Sequence, residues 1–271
     1  MAAGLVIALE GATRRPAPVK ILTEGAAEPP DLGTVAPQPQ APSTTTPPPP
    51  PPLPAVPPPH PGPPVIIGAG RANGRQVALT IDDGTSDDVV GAYVEFAERT
   101  GLPITFAPNG VNRKIWDPRA ARLAPLIAAG QVQVANHTWS HPDLRRLSDS
   151  GIQNEIAQNE RWIQDTFGIT GRPWFRPPFG YRNGRTDAVA AGMGYTHILL
   201  WNGTLGDATV ESPEELMGLA RRYFQPGTIM LGHANHPTVT ALFERIQVLL
   251  AERDLEPVTL DTMFGSSRAT G

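Results

Sequence analysis

From residue 76 onward, short apolar runs alternate with amphipathic stretches in a regular order. The apolar runs predict strands over Val77–Ile81, Ile104–Ala107, Val132–Ala135, Trp174–Arg176, His197–Trp201, Thr228–Gly232 and Pro257–Leu260. Between them, apolar positions recur at helical spacing near Asp87–Arg99, Pro118–Ala129, Asp149–Phe167, Arg185–Ala191, Pro213–Phe224 and Thr238–Glu252. Strands that alternate with helices of this length predict an α/β fold, a parallel sheet with helices outside it. Seven strands suggest an incomplete or distorted (β/α) barrel rather than an open sheet. No internal repeat is visible.

Composition changes the picture upstream. More than half of the 32 prolines fall between Pro29 and Pro64, with only scattered apolar residues among them. Such a segment cannot bury enough surface to offset its ordering entropy, and it is expected to be an extended, disordered spacer. Residues 1–64 are therefore assigned to an N-terminal tail and Pro-rich linker, and residues 65–271 to one globular unit. Ala2–Leu9 is apolar but too short to span a bilayer, and it lacks a basic leading region. It reads either as an ordinary tail or as the remnant of an export segment that begins upstream. Membrane contact is expected only through such a segment. A stalk of this kind suits an enzyme held at a cell envelope or secreted from it.

The absence of Cys removes disulfides and thiolate metal sites from consideration. A formal charge of -4 gives no electrostatic basis for nucleic-acid binding.

The unusual polar residues collect at the predicted strand ends, where α/β proteins place their chemistry. Val77–Ile81 runs into Asp82-Asp83-Gly84, and Val132–Ala135 into Asn136-His137-Thr138-Trp139-Ser140-His141. Trp174-Phe175 leads to Arg176-Pro177-Pro178-Phe179-Gly180-Tyr181, His197–Trp201 leads towards Asp207, and Thr228–Leu231 leads to Gly232-His233. Alone, Asp-Asp-Gly reads as a turn, and His-x-x-x-His as two surface or capping residues. Together they change the odds. Adjacent side chains on an extended backbone point apart, so Asp82 and Asp83 are expected to divide a metal role and a proton role between them. His137 and His141, on one side of a helical turn, would add two imidazoles and leave positions open on a zinc-like ion. His233 could supply the acid. Arg176, outside any solvated helix face, is expected to have a buried carboxylate partner. His197 and His236 read as structural or surface residues, and His60 sits in the spacer.

Thr80-Ile81-Asp82-Asp83-Gly84, His137-Thr138-x-x-His141, Arg176-Pro177-Pro178-Phe179-Gly180 and Ile229-x-Leu231-x-His233, in this order, resemble the motifs of the polysaccharide deacetylases, carbohydrate esterase family four. The resemblance runs from about Gln76 to the end of the chain and implies a distorted seven-stranded (β/α) barrel. It implies that Asp82 is the base and that Asp83, His137 and His141 bind the metal. That ion would be zinc, with cobalt, nickel or manganese as alternatives. A zinc-activated water would attack the acetyl carbonyl of an N-acetylglucosamine unit. By the same resemblance, His233 protonates the departing amine, Arg176 orients Asp82, and the Phe179 amide binds the oxyanion. Leu231 would line the acetyl-methyl pocket.

Two positions depart from the family pattern: Thr85 replaces the usual Pro, and Ala208 replaces the Trp that usually follows Asp207. Thr85 is expected to touch no reacting group. Asp207 could pair with His233, while loss of the Trp would open part of the sugar wall. Trp139 and Tyr181 are candidate stacking surfaces, with a core role for Trp139 as the alternative. The substrate expected is an N-acetylglucosamine-containing glycan, peptidoglycan before chitin. An O-acetyl esterase, a small N-acyl amidase and a catalytically weak glycan-binding module are the other readings.

Overall fold

The eight residues of β2 (Gln76–Asp83), buried along nearly their whole length, are the strand around which the described chain is arranged. The structure, a computed structural model, describes residues 58–209 and 211–265. The N-terminal tail and most of the Pro-rich segment lie outside the described residues. β1 (Val65–Ile67) precedes β2, and then come α1 (Asp87–Thr100), β3 (Ile104–Pro108), α2 (Arg113–Trp116), α3 (Ala120–Ala128) and β4 (Val132–Val134). The chain continues through α4 (Asp149–Phe167), β5 (Trp174–Phe175), α5 (Gly184–Gly192), β6 (His197–Leu199) and β7 (Gly203–Thr204). It ends with α6 (Pro213–Tyr223), β8 (Ile229–His233), α7 (Phe243–Glu252), β9 (Glu256–Pro257) and α8 (Leu260–Phe264).

All strand pairs are parallel. One sheet has the order β1-β6-β5 and the other β4-β3-β2-β8-β7, with β9 paired to the start of β2. The sheets meet on both sides. An isolated bridge joins Asn136, just past β4, to Phe175 of β5. On the other side the chain changes sheets between β6 and β7, where Leu200 donates to Ile67 and Asn202 to Ile229. The result is a distorted α/β barrel with helices outside it.

Alternation along β2 divides its side chains between two environments. Val77, Leu79 and Ile81 enter the large outer core shared with α1, α3, α6 and α7. Ala78 faces the barrel interior with Ala107, Ala135, Trp174 and Ile229, and Leu260 of α8 fills the bottom. On this parity Thr80 and Asp82 follow Ala78 up the inside of the barrel.

Each predicted strand has a counterpart, with three differences. Of the run His197–Trp201 only His197–Leu199 is strand, paired with β1 and β5; the chain then leaves that sheet and enters the other at β7, beyond the predicted run. Pro257–Leu260 keeps only β9 as strand; Thr259 accepts a hydrogen bond from the Thr262 amide and caps α8 instead. β1 was not anticipated. Predicted helices fall close to α1, α3, α4, α5, α6 and α7, although Thr238–Glu252 opens as a 3-10 turn before α7. Capping boxes at Asn183/Thr186 and Ser212/Glu215 start α5 and α6. Among the described residues no helix is long and apolar enough to cross a membrane.

Candidate active site

The C-terminal ends of the parallel strands bring Asp82, Asp83, His137, His141, Arg176, Asp207 and His233 to one mouth of the barrel. Asp82 is the last inward-facing residue of β2 and only 3% exposed. Asp83 leaves the strand conformation at φ 68°, followed by Gly84 at φ 89°. This turn overrides simple alternation and swings the second carboxylate back towards the first. His137 Nε2 consequently lies 3.6 Å from Asp82 Oδ2 and 3.4 Å from Asp83 Oδ1. Gly84 is required here, since a Cβ would stand 2.2 Å from the Trp116 indole nitrogen.

His137 and His141 come from a loop, not from the helical turn that their spacing suggested. Thr138 (φ 69°) and His141 (φ 59°) take left-handed conformations, and this curls the loop so that both imidazoles face Asp83. Asn136 holds the curl from beneath. Its Nδ2 donates to the Ile156 carbonyl and the Tyr195 hydroxyl, while its Oδ1 accepts from the Thr138 amide and Asn159 Nδ2. Asn109 Nδ2 donates to the carbonyls of His137 and Thr138.

Arg176 is fully buried. Its Nη1 lies 3.2 and 3.1 Å from the two oxygens of Asp82, and its Nη2 donates to Thr80 Oγ1 at 2.9 Å. The Thr80 hydroxyl in turn donates to the Met230 carbonyl. A buried ion pair returns little net stability after desolvation, so fold stability alone does not account for this arrangement. It fixes the orientation of Asp82.

The ring-nitrogen partners assign the tautomers. His137 Nδ1 is 2.7 Å from the Arg176 carbonyl, which can only accept, so Nδ1 carries hydrogen and the neutral ring presents the Nε2 lone pair to Asp83. Burial opposes a charge on His137, but Asp82 and Asp83 outweigh it and raise its pKa. Burial, and then the neighbouring His137, push His141 down to about 4, so its ring is neutral at ordinary pH. Burial also opposes ionisation of Asp83, yet His137, His141 and Asn235 hold its carboxyl well below the usual range.

Asp83, His137 and His141 offer one ligand atom each within 4.8 Å of one another. Asp83 Oδ1 is buried with no hydrogen-bond partner, a costly state for a carboxylate oxygen and the state expected of an oxygen meant for a cation. A carboxylate and two imidazoles suit zinc or a similar divalent ion. The donor set fits.

Across the mouth, His233 pairs with Asp82 in the β8–β2 register. Its Nδ1 lies 3.0 Å from Asp207 Oδ1, and its amide donates to Asp207 Oδ2 at 2.9 Å. Burial lowers the pKa of His233, but the hydrogen bond to Asp207 and the charges of Asp82, Asp207 and Asp83 raise it overall.

The remaining sequence-selected residues form the rim or its support. Phe179, at φ 59°, exposes its ring and sets it 4.4 Å from that of His141. The next two amides, of Gly180 and Tyr181, close its turn onto Pro177 and Pro178. Tyr181 is exposed, with the Arg145 guanidinium 4.0 Å above its ring. Leu231 is buried on β8, and Ala208 is exposed. Trp139 is half-buried and packs on the outer core against Gly110. Sequence reasoning passed over Thr80, Asn109, Asn136, Asn159 and Asn235. Position was the available signal for four of them: Thr80 stands inside a quoted motif, Asn136 and Asn235 beside others, and Asn109 just past β3, whereas Asn159 lies in the middle of α4.

Comparison with known proteins agrees with this geometry. The family model described as polysaccharide deacetylase matches residues 69–198. A chitin deacetylase from Pestalotiopsis is 30% identical over 71% of this chain and 64% of its own length. The peptidoglycan-N-acetylglucosamine deacetylase PgdA of Listeria monocytogenes is 27% identical over 73% of this chain and 40% of its own. The chain thus spans less than two thirds of either relative. Among solved structures, a family 4 carbohydrate esterase from Streptomyces lividans, in complex with acetate, superposes with a TM-score of 0.58. It shares 27% identity and covers 68% of this chain and 92% of that one. The chain belongs to the polysaccharide deacetylase family, carbohydrate esterase family four.

Proposed function

We propose that this chain is a metal-dependent hydrolase that removes N-acetyl groups from N-acetylglucosamine units of a cell-wall polysaccharide, peptidoglycan foremost. The observation that carries this reading is the unpartnered, buried Asp83 Oδ1 facing two imidazoles, beside a second carboxylate already clamped by Arg176. The chitin and peptidoglycan deacetylases among its relatives support the substrate class.

A divalent ion held by Asp83, His137 and His141, zinc before cobalt, nickel or manganese, would supply Lewis-acid activation of a water and of the acyl oxygen. Asp82, aimed by the Arg176 guanidinium beside both of its oxygens, takes a proton from the attacking water. Its neighbour Asp83 has no freedom for that task, because Asn235 engages its other oxygen. The Phe179 amide donates to the oxyanion, and Leu231 lines the acetyl-methyl pocket. Nε2 of His233, oriented by Asp207, gives its proton to the departing amine as the C–N bond breaks. Acetate and a free glucosamine unit result. Phe179 and Tyr181 at the rim offer faces to the pyranose ring; the packing of Trp139 favours a supporting role instead.

Residues 65–271 form the catalytic unit in this reading, and residues 1–64 a stalk that suits an extracytoplasmic enzyme working at the cell envelope. The test is acetate release from N-acetylglucosamine oligomers and from purified peptidoglycan, using metal-stripped protein with and without zinc. Zinc-dependent release that Asp82→Asn abolishes is the expected result. Full activity in Asp82→Asn with metal still bound would overturn the assignment.

A further inference from the structure

Thr85 follows the Asp82-Asp83-Gly84 corner and is exposed. It reaches the site through a neighbour that the motifs do not include. The Thr85 amide and hydroxyl both donate to Asn235 Oδ1, at 3.1 and 2.9 Å. Asn235 Nδ2 donates to Asp83 Oδ2 at 2.8 Å. Two donors on one side and a carboxylate on the other leave one sensible orientation of the Asn235 amide: oxygen towards Thr85, nitrogen towards Asp83. The loop that carries Asn235 is itself tied to the corner, because Ala234 donates to the Asp82 carbonyl and Ser86 to the Ala234 carbonyl.

The two oxygens of Asp83 therefore have different environments. Oδ2 is taken by Asn235, and Oδ1 is left bare towards His137 and His141. Asp83 also sits at a positive φ that a non-glycine residue rarely adopts, so the corner needs support from outside β2. A proline at position 85 could supply neither the amide nor the hydroxyl donor.

We propose that Thr85 and Asn235 are a positioning pair that makes Asp83 a one-oxygen metal ligand and so sets the affinity and coordination of the site. The inference rests on the metal reading given above. By occupying Oδ2, Asn235 prevents a two-oxygen grip on the ion and keeps positions open for water and the acyl oxygen. Thr85 acts one step further out, holding the Asn235 amide in the required orientation. Partners of this kind tune metal affinity without touching the metal.

The experiment is a zinc titration of the full, metal-stripped chain against a chromophoric chelator, paired with the visible spectrum of the cobalt-loaded protein. Asn235→Ala is expected to weaken zinc binding by about 10- to 100-fold and to change the cobalt bands. Thr85→Val keeps the amide donor but not the hydroxyl, and should produce a smaller change of the same kind. Thr85→Ser restores the hydroxyl and should bind zinc as the wild type does. Circular dichroism and the melting temperature of the metal-free variants read folding separately. Wild-type affinity and an unchanged cobalt spectrum in Asn235→Ala would overturn the positioning role while leaving the metal site intact. Failure of the wild type itself to bind zinc would instead overturn the metal reading, and this inference with it.

Discussion

Asp82 and Asp83 are the same residue type, yet their surroundings differ in the way that the proposed division of work requires. Asp82 has both oxygens beside the Arg176 guanidinium, whereas Asp83 has one oxygen hydrogen-bonded to Asn235 and one bare. Across the mouth, His233 depends on Asp207 in a comparable way. Asp207 accepts from both the ring and the amide of His233, and helps raise its pKa. A raised pKa keeps the imidazole protonated to higher pH, as the proposed role of acid for the leaving amine requires. Activity should therefore fall as pH rises through the His233 pKa. In Asp207→Asn that alkaline limb should move to lower pH, with kcat reduced by about 10²-fold or more. A pH–rate profile of the two proteins checks this; an unmoved limb would mean that another group sets it.

At the scale of elements, the loop between β4 and α4 shows how distant residues shape a site. His137 and His141 face Asp83 because Thr138 and His141 adopt left-handed backbone, and Asn136 and Asn109 hold that curl. Replacing Asn136 by Ala would strip partners from the Thr138 amide, the Ile156 carbonyl, Tyr195 and Asn159. Tyr195 and Asn159 keep Glu160 and Pro108 as partners, but a buried amide left unpaired, as that of Thr138 would be, costs about 1–3 kcal/mol. Asn136→Ala is thus expected to lower the urea midpoint and to weaken zinc binding together, which unfolding curves and chelator competition would reveal. Loss of stability with unaltered zinc affinity would mean that Asn109 alone holds the curl.

The same loop marks where the sequence stopped being legible. His-x-x-x-His announced two convergent imidazoles, but its helical reading failed because the turn is imposed by α4, by Tyr195 ahead of β6 and by Asn109 after β3. Likewise, the apolar run His197–Trp201 stays in strand only to Leu199, because the chain then crosses to the other sheet, which it joins at β7; periodicity does not encode that crossing. Helices with strong caps were located closely. Ser148 and Gly168 bound α4, and Ser212-Pro213 starts α6. The seven residues gathered at the mouth were legible because each stands at the end of a strand or in the loop that follows one. Asn235 and Thr80 were not, because their importance lies only in whom they touch.

For the whole molecule, the barrel gathers residues from the ends of several strands, so an ion at the mouth would join segments far apart in sequence. Ion binding to the folded form alone must stabilise the entire barrel, by about 2.7 kcal/mol at a free concentration one hundred times the dissociation constant. That increment should depend on pH in a definite direction. His137 has a raised pKa in the metal-free fold, against an ordinary value of 6.5. Its interactions with Asp82 and Asp83 thus add stability to the metal-free protein below pH 6.5. This contribution is lost as pH rises through the raised pKa. The proton that confers it must leave Nε2 before that nitrogen can hold an ion. Acid therefore strengthens the metal-free barrel through His137 while weakening its hold on zinc. Melting curves with zinc and with chelator should lie far apart at pH 8 and draw together below pH 6.5. His137→Gln, which cannot titrate, should leave a smaller separation that no longer narrows across this window. An increment independent of pH in the wild-type protein would show that His137 is not among the ligands.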